Sequence, residues 1–309
     1  MSGRHRVARP AQRARRLRIV VAVLGVAVLA GGSAYVATHH DPAPVVAEAP
    51  TTSLKDQLRA SFDGLDTGVP VGVAIVPVGG GPAILLGDQS PPDAWSTIKI
   101  PLALAAERRT GENRSETKAI VDSDNLSARR LTRSLGTPDE AITAVTAILR
   151  EGGDISTVVV PAEGGEWPHL GETVWPLDTS AAWTAHLPCL PGSTHVIDLM
   201  SHVGREQDWG LMRAGGQTTA VKGGWGSEDD DDSYLVRQIG LLTLDDDTRV
   251  AISMSTTAPG MTYETGVKAL DTVGDWLGRN RGLLPGGSCP APPSPEAPST
   301  PPSTPQAPR

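Results

Sequence analysis

Three short strings in the chain hold side chains that could act together on a carbonyl. Ser96-Thr97-Ile98-Lys99 sets a hydroxyl and an amine three residues apart. Ser123-Asp124-Asn125 adds a second hydroxyl and an amide, and Lys222-Gly223-Gly224 adds a second amine. Serine is a poor nucleophile until a base in contact takes its proton. On a helix, residues i and i+3 share a face, so Lys99 is within reach of the Ser96 hydroxyl. A lysine acts as a base only when its pKa falls, through burial or a second cation nearby. Lys222 could be that cation. Ser123 is suited to pass a proton to a leaving nitrogen, and Asn125 to hold a substrate amide. The chemistry this predicts is acyl transfer, with a covalent intermediate on Ser96. Lysine is scarce, five against 22 arginines, yet two of the five fall in these strings.

Such a site needs a helix under Ser96 and Lys99 and a strand under Lys222. Residues 96–108 are apolar enough for a buried helix, with Pro101 near its first turn, where a missing N–H costs least. Residues 218–222 read as a short strand. Before them, residues 54–62 place apolar side chains at helical spacing. Residues 71–78 and 83–86 form apolar runs broken by Gly79, Gly80 and Gly81, the pattern of a hairpin. Residues 139–150 predict a helix ended by Gly152 and Gly153. Two further strands, 234–244 and 248–256, flank a turn at Asp245, Asp246 and Asp247, and 267–277 closes the domain as an amphipathic helix. Strands and helices are segregated along the chain. That predicts an α+β fold: an antiparallel sheet, terminal helices on one of its faces, and a helical block.

Taken together and in this order, the three strings resemble those of the penicillin-recognising serine hydrolases, class A β-lactamases and penicillin-binding transpeptidases and carboxypeptidases. The resemblance covers residues 54–288 and implies a β-lactamase/transpeptidase-like fold. It implies Ser96, Lys99, Ser123 and Lys222 as catalytic residues, and Asn125, Gly224 and Trp225 as substrate-binding ones. The backbone N–H groups of Ser96 and Trp225 would form the oxyanion hole. Substrates would be β-lactams or cell-wall peptides, with no cofactor. A second match, Ser115-Glu116-Thr117-Lys118, is set aside because its segment is polar and lies only eight residues ahead of Ser123.

The chain also departs from that family. The 27 residues from Ser96 to Ser123 are fewer than in typical class A enzymes, so the helical block should be reduced and the cleft more open. Gly223 stands where the family usually has Thr or Ser. No E-x-x-L-N string supplies a deacylation base; Glu166 and Glu172 are the nearest carboxylates ahead of Thr179-Ser180-Ala181-Ala182-Trp183. Without such a base an acyl-enzyme should persist. A second reading follows, a non-hydrolytic penicillin-recognising binding or sensor domain of the cell envelope. Glu228-Asp229-Asp230-Asp231-Asp232 reads as a solvated loop that would disfavour anionic substrates over a Debye length of about 8–10 Å. Trp167, Trp175, Trp209 and Trp225 fall in the half bordering the cleft, where core packing is the default role for each. The seven histidines show no metal-ligand spacing, so no metal is expected.

The ends of the chain give its address. Residues 1–18 hold seven arginines and no acid, and 19–37 carry no charge. A helix over that stretch spans roughly 28 Å, about a hydrocarbon core. Basic residues before it keep the N-terminus inside and place everything after about residue 38 outside. The segment at 19–38 reads as a signal anchor or as a cleaved signal peptide, with Gly32 and Ala34 as its small residues. Residues 39–53 form a Pro/Ala-rich linker, 54–288 one domain, and 289–309, with nine prolines, an extended tail. Outside the membrane, Cys189 and Cys289 could pair or remain two free thiols. Residues 19–309 carry a net charge of −15, which leaves no electrostatic footprint for a nucleic acid. The Ala-, Arg- and Gly-rich, lysine-poor composition points to a high-GC, actinobacterial-type source.

Overall fold

A computed structural model describes residues 53–161, 164, 166–227 and 233–291. Five strands form one sheet: β1 (Val71–Pro77), β2 (Ile84–Gly87), β3 (Thr219–Ser227), β4 (Ser233–Thr243) and β5 (Arg249–Pro259). Their spatial order is β2-β1-β5-β4-β3, and every neighbouring pair is antiparallel. The strands are buried along most of their length, polar positions included, because both faces of the sheet are covered. Alternate residues go to opposite sides. Val73 and Ile75 join Val236, Leu242, Val250 and Ile252 in one core, and Ala74 and Val76 join Ile239, Leu241 and Ala251 in the other.

The first core is closed by the terminal helices α1 (Leu54–Asp63) and α8 (Tyr263–Arg279). Leu58 and Phe62 of α1 meet Leu270, Val273 and Trp276 of α8 there, with the Phe62 and Trp276 rings edge to face at 5.2 Å. The second core is closed by the helical block: α2 (Lys99–Thr110), α3 (Arg114–Val121), α4 (Asn125–Ser134), α5 (Pro138–Glu151), α6 (Leu177–His186) and α7 (Thr194–Ser201). The α+β architecture read from the sequence is the observed one. Helix α5, expected over 139–150, starts one residue earlier, where Thr137 and Glu140 form a capping box with Pro138 in the first turn.

Helix α8 begins four residues before the expected 267 and β5 ends three past the expected 256; two further differences bear on the site. The helix expected over 96–108 opens as a 3₁₀ turn at Trp95–Ile98 and becomes α-helical only at Lys99. Pro101 is then the third helical residue, where its missing N–H is no loss. Strand β3 runs five residues past the expected end. Gly223, Gly224 and Gly226 carry no strand propensity, but β4 pairs with the whole stretch, from Thr219 opposite Leu242 to Ser227 opposite Tyr234. The set-aside Ser115–Lys118 string forms half of the short helix α3, not a core-crossing one.

Cys189 and Cys289 form a disulfide, 100 residues apart in sequence. It ties the link between α6 and α7 to the segment after α8. Trp175 is fully buried and packs edge-on against Trp183 at 5.5 Å. The stretch 19–37, the linker up to residue 52, the acidic run 228–232 and the Pro-rich residues 292–309 lie outside the described residues. Among the described residues no helix is long and apolar enough to cross a membrane.

Candidate active site

Ser96 sits in the 3₁₀ turn at the head of α2. The preceding Trp95 has φ of 43°, a left-handed conformation that bulky residues rarely adopt. The turn is held from below. Arg237 of β4 is fully buried and donates to Asp93 O at 2.7 Å and Trp175 O at 3.2 Å. Burial lowers its pKa to about 9. Ala94 N donates to Thr173 O at 2.7 Å, which adds a tie to the segment before α6.

Strand β3 is the last in the sheet, so one of its edges is free, and the Ser96 turn packs closely against this strand. Two glycines make the approach possible. A Cβ on Gly224 would stand 2.9 Å from Ser96 N, and one on Gly226 would stand 2.0 Å from the Trp95 ring. Only residues without side chains allow strand and turn to come this close. Gly223 has a different neighbour: a Cβ there would lie 2.9 Å from the Trp209 ring. Trp209 fills the space that the side chain of a Thr or Ser would need.

The two lysines meet over Ser123. This residue lies in the link between α3 and α4 with φ of 54°, and Asp124 caps α4 by accepting from Ser127 N at 2.7 Å. Ser127, through its side chain first and then through that capping N–H, holds the Asp124 carboxyl below its usual range. Lys99 Nζ donates to Ser123 O at 2.6 Å, to Asn125 Oδ1 at 2.7 Å and to Ser123 Oγ at 3.4 Å. Lys222 Nζ donates to Ser123 Oγ at 2.9 Å, to Gly223 O at 2.8 Å and to Gln207 Oε1. The Ser123 hydroxyl therefore bridges both amines. Ser96 is not among the partners of Lys99. The ammonium turns instead to the oxygens of the Ser123–Asn125 loop, which replace the water lost on burial.

Both lysines are depressed. Burial brings the Lys99 pKa down to about 8, against a raising influence of Asp124. Lys222 is fully buried, and burial followed by the nearby Lys99 lowers it well below the ordinary lysine value. An amine that gives up its proton near neutrality is what a serine nucleophile requires.

Ser96, Lys99, Ser123, Asn125 and Trp225 line one cavity of about 610 Å³. Lys222 and Gly224 lie buried behind this wall. Residues 166–172 supply further lining, with Glu166, Trp167 and Glu172 among them. Both carboxylates are exposed, and Glu172 lies 3.7 Å from His169, itself exposed. The four tryptophans divide: Trp175 and Trp209 are core, whereas Trp167 and Trp225 reach the cavity. Trp225 packs against Trp209 and Tyr263, at 6.4 and 5.3 Å between ring centres.

The sequence reading missed Gln207, fully buried, whose Oε1 accepts from Lys222 Nζ and Gly223 N while its Nε2 donates to Ile120 O and Val121 O. No local pattern marks it. It also missed Arg129 and Arg133, which line the cavity, Arg133 standing over the Trp167 ring at 5.8 Å. Their signal was present: they follow Asn125 at steps of four and so share its helix face.

No family model and no curated protein matches the chain. Solved structures are similar to it. A β-lactamase from Xanthomonas campestris superposes with TM-score 0.55 and 18% identity, over 75% of this chain and 100% of that one. PBP-A superposes with TM-score 0.56 and 16% identity, over 75% and 96%. The TLA-3 extended-spectrum β-lactamase does so with TM-score 0.56 and 15% identity, over 72% and 99%. The chain has the β-lactamase/transpeptidase-like α+β fold.

Proposed function

We propose that residues 54–288 form an extracytoplasmic serine hydrolase of the β-lactamase and penicillin-binding-peptidase type, acylated on Ser96 by an amide substrate. A β-lactam or a cell-wall peptide is the substrate class. The observation that carries this reading is the Ser123 hydroxyl held between two buried, depressed lysines, on the wall of the cavity that Ser96 also lines. Ser96 Oγ attacks the carbonyl carbon, and its proton passes to neutral Lys99. The carbonyl oxygen, now negative, is held by the N–H groups of Ser96 and Trp225. When the C–N bond breaks, the proton travels from Lys99 through Ser123 Oγ to the leaving nitrogen. Lys222 supplies fixed positive potential or, when neutral, a further proton acceptor. Water then releases the acid from Ser96.

The disulfide and the apolar stretch at 19–37 support an oxidising compartment outside the cytoplasmic membrane, with the chain anchored there or released by cleavage. The test is intact mass over time with a fluorescent penicillin. A single adduct on the wild-type chain, absent from Ser96→Ala and Lys99→Ala, is expected. Rapid turnover without accumulation would instead make the chain a working β-lactamase and turn attention to Glu166 and Glu172. Neither adduct nor turnover would overturn penicillin recognition and favour the non-hydrolytic binding domain.

A further inference from the structure

A second polar centre lies apart from the Ser96 cavity. Glu107 comes from the last turn of α2, Glu116 from the first turn of α3, and His195 from the first turn of α7. None of the three lines the cavity. One ligand-capable atom from each falls within 4.8 Å of the others. His195 Nδ1 is 3.2 Å from Glu107 Oε2 and 3.5 Å from Glu116 Oε1. On the far side of the ring, Nε2 is 3.9 Å from Glu112 Oε2.

Glu116 makes this cluster more than a charged surface. Its side chain is fully buried, and neither carboxyl oxygen has a hydrogen-bond partner. A buried polar group left in this way is costly and rare. In a tetrahedral site with metal–ligand bonds of about 2.0–2.1 Å, neighbouring ligand atoms stand about 3.3 Å apart. The two separations from His195 Nδ1 bracket that value.

We propose that Glu107, Glu116 and His195 form a binding site for a divalent transition metal of the Zn²⁺ class. His195 Nδ1 and one oxygen of each carboxylate are the ligands, with water completing the shell. Nε2 faces Glu112, whose Oε2 at 3.9 Å would close to hydrogen-bond distance to stand behind a metal-bound histidine. An imidazole among the ligands favours Zn²⁺ over Ca²⁺ and Mg²⁺, which take oxygen shells. The metal clamps the ends of three helices. One of them, α3, ends two residues before Ser123, so the clamp steadies the hydroxyl that both lysines hold.

The experiment uses the full chain without a histidine tag, stripped with a chelator and titrated calorimetrically with Zn²⁺, and separately with Co²⁺ as a spectroscopic stand-in. One Zn²⁺ per chain is expected, with visible Co²⁺ bands of tetrahedral intensity. His195→Gln should weaken Zn²⁺ binding by well over tenfold and abolish those bands, and Glu112→Gln should weaken it by about tenfold. His195 is partly exposed at the surface, so its variant is expected to fold, which circular dichroism checks. Should Glu116→Gln fail to fold, the His195 and Glu112 variants still decide. The absence of stoichiometric uptake would overturn the site. Uptake unchanged by His195→Gln would do the same, as would uptake lost on replacing His39 and His40.

Discussion

The two sides of the Ser96 cavity are built on different principles. On one side, β3, the Ser123 loop and the head of α2 interlock. Lys99 and Lys222 are buried, each donates to three acceptors, and Gln207 ties the second lysine to the backbone of α3. On the other side, residues 166–172 present exposed carboxylates, with Glu172 62% accessible to solvent. A group whose proton affinity must shift needs burial and fixed partners. The amines have both, whereas the two carboxylates stand exposed, so on the proposed reading the cavity should form an acyl-enzyme more readily than it empties it.

The sharpest way to break that contrast is to remove an amine. Lys99→Ala should lower the acylation rate by about 10²–10⁴-fold, measured by stopped-flow fluorescence; a loss below about tenfold would remove Lys99 as the base.

The pH profile comes next. Lys99 must be neutral to accept a proton, so the acylation rate constant should rise about tenfold per pH unit and level off above about 8. A profile flat from pH 6 to 9 would contradict this. Stability carries a matching sign. The folded-state pKa of about 8 lies below the ordinary 10.5. Between those values the unfolded chain binds the extra proton, so stability from this group rises with pH across that window and is penalised below it. Against Lys99→Met, the wild-type chain should therefore gain in unfolding free energy between pH 8 and 10.

Gln207→Ala should destabilise the chain by about 1–3 kcal/mol, because Gly223 N–H and Lys222 each lose a buried acceptor. Chemical denaturation reads this, and an unchanged midpoint would show that water replaces the amide. The smallest effects are expected on the open side. Glu166→Gln and Glu172→Gln should each leave the lifetime of the acyl adduct within about threefold. A loss of about 10² or more in deacylation would mark that residue as the water-activating base.

Much of this molecule can be read one segment at a time. The α+β class, the terminal helices, the hairpin and the glycine end of α5 all follow from apolar periodicity and end signals, which are local. The expected pairing of Ser96 with Lys99 on one helix face is a local inference too, but Ser96 lies in the 3₁₀ turn ahead of α2 and Lys99 donates to Ser123 and Asn125. The extent of β3 was not legible, because Gly223, Gly224 and Gly226 have no strand propensity and only β4 holds them. Arg129 and Arg133 were legible in principle, through their four-residue steps from Asn125. Gln207 and Arg237 were not, because a buried polar side chain is recognised only by what surrounds it.

The residue types settle which groups are present and therefore which chemistry is open to this chain: a hydroxyl with an amine one helical turn away, a second hydroxyl, a second amine. The packed structure settles how those groups behave. It turns Lys99 toward Ser123 instead of Ser96, buries Lys222 against Gln207, and brings Glu107, Glu116 and His195 from three helices to one point. The physical reason is range. Helix faces and caps are set by neighbours a few residues away. Desolvation and charge coupling depend on atoms from segments more than a hundred residues apart, such as Lys99 and Lys222, and these meet only when the sheet and the helical block close around them.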